Sequence, residues 1–240
     1  MKDNKHPVLG ILGGLGPMAT VYFYEMITAH TKADCDQDHI DIVINSRATT
    51  PDRTNYILGK CGENPLEIML ADSKRLKEYG VTLLAIPCNT AHYFYDMLTS
   101  EIDIPFLNIM EETAKYLKKT GVKKAGILAT EGTIETGTYN RYLEQYGIEC
   151  IVPEKQEQAL VSEIIYGDIK HGKRADMDKF DRVTASLFEK GAQRIILGCT
   201  ELSLIKKNEG LQSSKYVDSL EVLAKRAIEA CGKEAVGFDI

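Results

Sequence analysis

The chain alternates short, continuous apolar runs with longer amphipathic stretches, and this alternation constrains its fold more than any other feature. The runs are Val8–Leu12, Asp41–Asn45, Thr82–Pro87, Pro105–Ile109, Lys124–Ala129, Glu149–Val152 and Arg194–Gly198. Being short and mostly apolar without strict alternation, they read as strands covered on both faces. Between them lie helical patterns. Pro65–Tyr79 lines up Leu66, Met69, Leu70 and Leu76, with Pro65 in the first turn. Ala175–Lys190 does the same with Phe180, Val183 and Leu187. Strand alternating with helix implies an α/β fold with largely parallel sheets.

At 240 residues the chain has room for two domains of roughly 100–120 residues each. Hydrophobic residues at 44% and charged residues at 27% exclude a disordered or fibrous chain. A net charge of -6 disfavours a nucleic-acid partner. No apolar stretch approaches the ~18 residues of a membrane span. The start, MKDNKHPVLGILGG, lacks the apolar core and cleavage site of a secretory leader, so a cytoplasmic location is expected. The two halves echo each other. Gly10-Ile11-Leu12 leads to Gly16, and Gly126-Ile127-Leu128 leads to Gly132 at the same spacing. Each half then has a strand ending in a cysteine with threonine close behind, Cys88-Asn89-Thr90 and Cys199-Thr200-Glu201. Two similar half-domains would place both cysteines at carboxyl ends of strands, where open α/β sheets bind ligands.

Six cysteines occur: Cys35, Cys61, Cys88, Cys150, Cys199 and Cys231. No C-x-x-C pair is present, which argues against a zinc ribbon or a thioredoxin-type site. Free thiols in a reducing compartment are expected. Pro87 ends a strand ahead of Cys88, and a helix beginning at Thr90 would set the thiol at its positive end, favouring thiolate. Cys199 reads the same way. One such cysteine is ordinarily a small buried hydrophobe. Two facing one substrate suit moving a proton off one side of a carbon and onto the other. The other four read as structural, and Cys35 with His39 lacks the further ligands a metal needs.

Gly13-Gly14-Leu15-Gly16-Pro17 lets backbone amides approach an anion at a helix start, yet it is not G-x-G-x-x-G, and no G-K-[ST] occurs. Arg53 in Pro51-Asp52-Arg53-Thr54 either grips a carboxylate or forms a surface pair with Asp52. Lys170 by itself reads as a solvated lysine at a helix end. His92, one turn after Cys88, either polarises the site or packs within its helix. Glu201 either tunes the Cys199 thiol or caps a helix.

Together these motifs resemble the aspartate/glutamate racemase family. The carriers are Gly13-Gly14-Leu15-Gly16-Pro17-Met18-Ala19-Thr20, Pro51-Asp52-Arg53-Thr54, Pro87-Cys88-Asn89-Thr90-Ala91-His92 and Gly198-Cys199-Thr200-Glu201. The P-D-R-T element and the C-N-T-A-H form look most like the aspartate racemases. The resemblance implies two similar Rossmann-like domains with parallel four-stranded sheets, pseudo-twofold related, with the active site in the interdomain cleft. The expected division is residues 1–107 with 215–240, carrying Cys88, and residues 108–214, carrying Cys199. Cys88 and Cys199 match the catalytic cysteines, with Cys88 assigned to the D-enantiomer and Cys199 to the L-enantiomer. Arg53 and Lys170 match positions that hold the substrate's side-chain carboxylate. Asn89, Thr90 and Thr200 match residues around the α-carboxylate and amino group. Met18, Thr130 and Glu201 are expected at the substrate as well. No cofactor and no metal are implied, and a homodimer is. The implied reaction is racemisation of aspartate, or of glutamate. A broad-specificity or hydantoin-type racemase and a decarboxylase of the same fold are the rival enzymes, and a non-catalytic small-molecule binding module is the rival outside enzymes.

Overall fold

A computed structural model describes residues 6–240, so the first five residues of the leader reading lie outside it. The first half runs β1 (Val8–Gly13), α1 (Pro17–His30), β2 (Asp41–Ser46), α2 (Arg53–Ile57), α3 (Pro65–Glu78), β3 (Leu83–Ala85), α4 (Tyr95–Glu101) and β4 (Phe106–Leu107). After α5 (Ile109–Lys119) come β5 (Lys124–Leu128), α6 (Glu131–Glu135), α7 (Thr138–Gln145), β6 (Glu149–Ile151) and α8 (Lys155–Ser162). Then follow α9 (Met177–Glu189), β7 (Arg194–Leu197), α10 (Thr200–Glu209), β8 (Tyr216–Asp218) and α11 (Ser219–Ala230). Two four-stranded sheets result, in the orders β2-β1-β3-β4 and β6-β5-β7-β8, with every pairing parallel. The orders are equivalent, as the internal echo implies. Among the described residues no helix is long and apolar enough to cross a membrane.

The last helix of each half crosses to the other. Asn108 follows β4 and caps α5 by accepting from the amides of Met110 and Glu111. Asp218 ends β8 and caps α11 through the amide of Leu220. α5 packs against α7 of the second half, α11 packs against α1 of the first, and the two pack on each other. One core therefore contains Leu9 and Ile11 of the first sheet, Ala125 and Ile127 of the second, and the inner faces of both crossing helices. Each half also keeps a cluster of its own. Phe180, Val183 and Leu187 of α9 are fully buried in one, and Met69 and Leu76 of α3 in the other.

Three expectations need correction. Residues 216–218, expected with the first half, pair with β7 as the edge of the second sheet, so the crossover begins at α11. Three residues are too few to show a periodicity, and only pairing reveals this strand. Pro105–Ile109 shortens to two paired residues, because Asn108 turns the chain into α5. Thr90 does not open an α-helix either. Thr90–Phe94 is a 3-10 turn, and α4 starts only at Tyr95, whereas Cys199 is the N-cap residue of α10. The two cysteines thus differ in their local fields.

Gly14 sits at φ 81, and a Cβ there would lie 2.3 Å from the backbone nitrogen of Arg47. This close approach lets the Arg47 amide reach the Gly13 carbonyl and extend the β1–β2 pairing. Gly14→Ala should cost about 2–4 kcal/mol, combining left-handed strain with backbone displacement. Gly210→Ala has φ 63 and nothing within 4 Å of its Cβ. It should cost only the strain, about 1–2 kcal/mol. Urea unfolding of both variants at pH 7 measures the difference.

Candidate active site

Both cysteines line one small chamber with about 10 Å³ of free space. Leu15, Asp52, Arg53, Thr54, Cys88, Asn89 and Thr90 line it from the first half. Thr130, Tyr166, Lys170, Cys199, Thr200 and Glu201 line it from the second. Its volume is that of about one water molecule. A cavity of about 670 Å³ shares Asp52, Arg53, Lys170 and Glu201 with it, so these four side chains form the wall between the two. Met18 lies on this outer cavity, 63% exposed, and not on the thiol chamber. It stands at the solvent side of the first turn of α1.

Cys199 is buried, and its Sγ donates to Glu201 Oε2 at 2.9 Å. Thr200 Oγ1 lies 3.5 Å from the same oxygen. Burial, and then the Glu201 carboxylate, push the Cys199 thiol well above its ordinary range. The start of α10 pulls the other way, but a helix end supplies only about 0.3–1 kcal/mol. Two like charges ~4 Å apart cost about 4 kcal/mol at an effective dielectric constant of 20. The carboxylate therefore outweighs the helix end, and it lies in hydrogen-bond contact with the thiol.

Lys170 is exposed as a residue, yet its ammonium turns inward to Glu201. α8 widens into a π-helix over Glu163–Asp168 and then tightens into a 3-10 turn over Ile169–His171, ending at the left-handed Gly172. Such a change of pitch re-aims side chains and recurs at functional sites. Here Lys170 Nζ comes 3.6 Å from Glu201 Oε1 and 4.7 Å from the centre of the Tyr166 ring. Burial opposes its charge, but the attraction of its neighbours, the Glu201 carboxylate first, outweighs burial and holds its pKa above the usual lysine value. Burial pushes the Tyr166 phenol up to about 12.

Arg53 is buried and does not pair with Asp52, whose carboxylate caps α2 at the Asn55 amide, 2.8 Å away. The guanidinium donates instead to the carbonyls of Thr50, Pro51 and Leu15. These three bonds fix its plane and leave Nε buried without a partner. Thr54 Oγ1 is orphaned in the same way. Buried polar atoms are almost always paired, so two orphans on one chamber wall point to a polar ligand.

The floor of the chamber ties the halves together. Tyr139 donates to Asn89 Oδ1 at 2.6 Å, and Asn89 Nδ2 donates to Ser219 Oγ at 3.1 Å. Thr90 Oγ1 meets Thr130 Oγ1 at 2.9 Å and Thr133 Oγ1 at 3.2 Å. The sequence analysis missed Tyr139, Ser219, Thr133 and Tyr166, none of which carries a local signal, because each is brought in by contacts across the chain; Thr54 stood in the P-D-R-T element without a role of its own. Of the remaining cysteines, Cys35 is exposed and donates to Asp38, Cys61 and Cys150 are half-buried, and Cys231 is in the core.

His92 packs rather than polarises. Its Nε2 accepts from the Ile109 amide at 3.2 Å, so Nδ1 carries the proton and donates to the Cys88 carbonyl at 2.9 Å. Burial pushes its pKa down to about 4, and the ring is neutral at pH 7. The folded value lies below the unfolded one, so this stabilisation is complete above the unfolded pKa of about 6.5 and is lost as pH falls toward 4. Burial raises the carboxyls of Asp218 and Glu221, which act in the opposite sense over this range, so the wild type alone does not isolate the effect. The stability gap between wild type and His92→Gln should narrow by about 2–3 kcal/mol between pH 7 and pH 4.5. Urea unfolding at the two pH values checks this.

The Asp/Glu/Hydantoin racemase family profile matches residues 12–227. The broad specificity amino-acid racemase RacX of Bacillus subtilis is 30% identical over 229 residues, covering 92% of this chain and 96% of RacX. Among solved structures, Picrophilus torridus aspartate racemase superposes with a TM-score of 0.83 at 30% identity, covering 96% of each chain. An aspartate racemase homologue from Pyrococcus horikoshii OT3 gives 0.75 at 25% identity, covering 95% of this chain and 99% of its own. These likenesses span both halves and set aside the non-catalytic reading. The chain belongs to the Asp/Glu/Hydantoin racemase family, as an amino-acid racemase.

Proposed function

We propose that the protein interconverts the enantiomers of an acidic amino acid, aspartate first and glutamate second, with Cys88 and Cys199 as its two acid/base groups and without pyridoxal phosphate. One observation carries this reading. Two thiols, one from each half, line a single buried chamber beside a fixed guanidinium with an unpartnered Nε and a lysine. A thiolate on one side takes the α-proton, and the thiol on the other side gives its own proton to the opposite face. The proton count of the protein is unchanged over the turnover. The α-proton is only weakly acidic, so donors must offset the charge that grows on the α-carboxylate. By the family resemblance Asn89, Thr90 and Thr200 would do so, together with the first amides of α10. Arg53 and Lys170 would hold the side-chain carboxylate. An amino acid exceeds this free space, so the side chains around it, Asp52, Arg53, Lys170 and Glu201 among them, would shift to admit it. A reducing compartment suits this chemistry, since oxidation of either sulfur removes a proton carrier.

A broader substrate range is the second reading, favoured by the full-length likeness to RacX. A panel of amino-acid enantiomers followed by chiral chromatography separates the two. The acidic reading expects aspartate or glutamate to turn over fastest. It expects Arg53→Ala to weaken their binding roughly 10–100-fold, the value of a charge-assisted contact. Preference for neutral substrates, with Arg53→Ala sparing aspartate, decides for the broad reading.

In heavy water the product enantiomer should carry solvent deuterium while early residual substrate does not. Cys88→Ala and Cys199→Ala should each lower interconversion by about 10²–10⁴-fold. Retention of the original α-hydrogen in the product would rule out the two-thiol mechanism.

A further inference from the structure

The two halves repeat each other's strand order up to the thiols, and the residues that follow the thiols differ in chemistry. Four residues after each cysteine, a polar side chain bonds to the segment that leaves the last strand. His92 accepts from the Ile109 amide, and Ser203 donates to Asp218. Two residues after each cysteine the repeat breaks. Thr90 offers a hydroxyl, which meets the Thr130 hydroxyl, while Glu201 offers a carboxylate, which meets Cys199 Sγ at 2.9 Å.

We propose that Glu201 is a positioning residue that keeps the proton on Cys199 in the resting enzyme and thereby makes Cys88 the base of the first turnover. This assignment rests on the two-thiol reading above. An ionised carboxylate only accepts, so the sulfur at 2.9 Å is the donor and carries the proton. Were Cys199 to ionise, thiolate and carboxylate would face each other in a chamber with room for about one water to screen them.

The other charged and titratable groups around Cys199 do not reverse this. Its place at the start of α10 favours thiolate only weakly. Lys170 also favours thiolate, but it is shared, with Nζ 3.6 Å from Glu201 Oε1. The Arg53 guanidinium is tied to three backbone carbonyls, and the Asp52 carboxylate is taken up by its cap. Tyr166 and Cys88 complete the surroundings. The Glu201 carboxylate is itself set against the first turn of α1, where a Cβ on Gly16 would lie 2.9 Å from Oε1. That position favours its negative charge.

After one turnover from this state Cys88 holds the proton taken from the substrate and Cys199 is a thiolate. Glu201 then makes that state the less stable one, so the enzyme resets by losing a proton from Cys88 to solvent and regaining one on Cys199.

Alkylation by iodoacetamide tests the assignment without any turnover. The full chain is treated over a range of pH, and each cysteine is followed by peptide mass. Cys88 should be modified ahead of Cys199 at neutral pH. Glu201→Gln should move the Cys199 profile down by about one pH unit or more, about a tenfold faster modification at pH 7, and leave the Cys88 profile in place. Lys170→Met should move the Cys199 profile up. Coincident profiles in the wild type overturn the proposal, as does a Cys199 profile that Glu201→Gln does not move. If Glu201→Gln fails to fold, the wild-type order and the Lys170→Met shift decide. A shifted profile in a protein that racemises nothing would reject the proposed function and leave the role of Glu201 standing.

Discussion

The exchange of α5 and α11 between the halves is the constraint from which the site follows. Each sheet delivers its cysteine at the carboxyl end of its third strand, because parallel strands all end on one side. That alone would leave two thiols on two separate units. The crossing helices bury a shared core of both sheets, and so fix one set of strand ends relative to the other. The bonds from Tyr139 and Ser219 to Asn89 then complete the alignment at the thiols themselves.

Within the chamber the balance is electrostatic and local. Arg53, Lys170, Glu201 and two thiols surround a free space of about 10 Å³, which leaves room for about one water to screen charge. Arg53, Lys170 and Cys199 are each held by something that is not substrate. Arg53 has its carbonyls, Lys170 has Glu201 and Tyr166, and Cys199 has Glu201. The empty site is thus preorganised, and the unpartnered Nε of Arg53 is its clearest unmet demand. Preorganised dipoles in a dry site act on developing charge without reorganising at the moment of reaction.

The same wall explains how a small chamber serves an amino acid. Asp52, Arg53, Lys170 and Glu201 face both the thiols and the outer cavity. Lys170 rides on a segment of changed helical pitch, and Arg53 stands on the five-residue α2. Both are short elements at the rim of the sheets rather than core strands, and such elements are where local opening costs least.

The sequence by itself determined the alternation of strand and helix, the parallel sheets, the internal repeat and the two cysteines at matched strand ends. These rest on contiguous apolar runs and fixed local spacing, which survive without tertiary information. Motif resemblance also grouped Arg53, Asn89, Thr90, Thr130, Lys170, Thr200 and Glu201, all of which line the thiol chamber, with Met18, which lines the outer cavity. Only the tertiary structure decided that β8 belongs to the second sheet, because a three-residue strand exists only through its partner. Only it showed that Cys88 precedes a 3-10 turn while Cys199 begins an α-helix, and that Asp52 caps α2 and leaves Arg53 to the chamber. The inequivalence of the two thiols belongs to the same class. Its residues, Thr90 and Glu201, are plain in the sequence, but hydrogen-bond contact with one sulfur is a matter of ångströms that spacing along a chain does not specify.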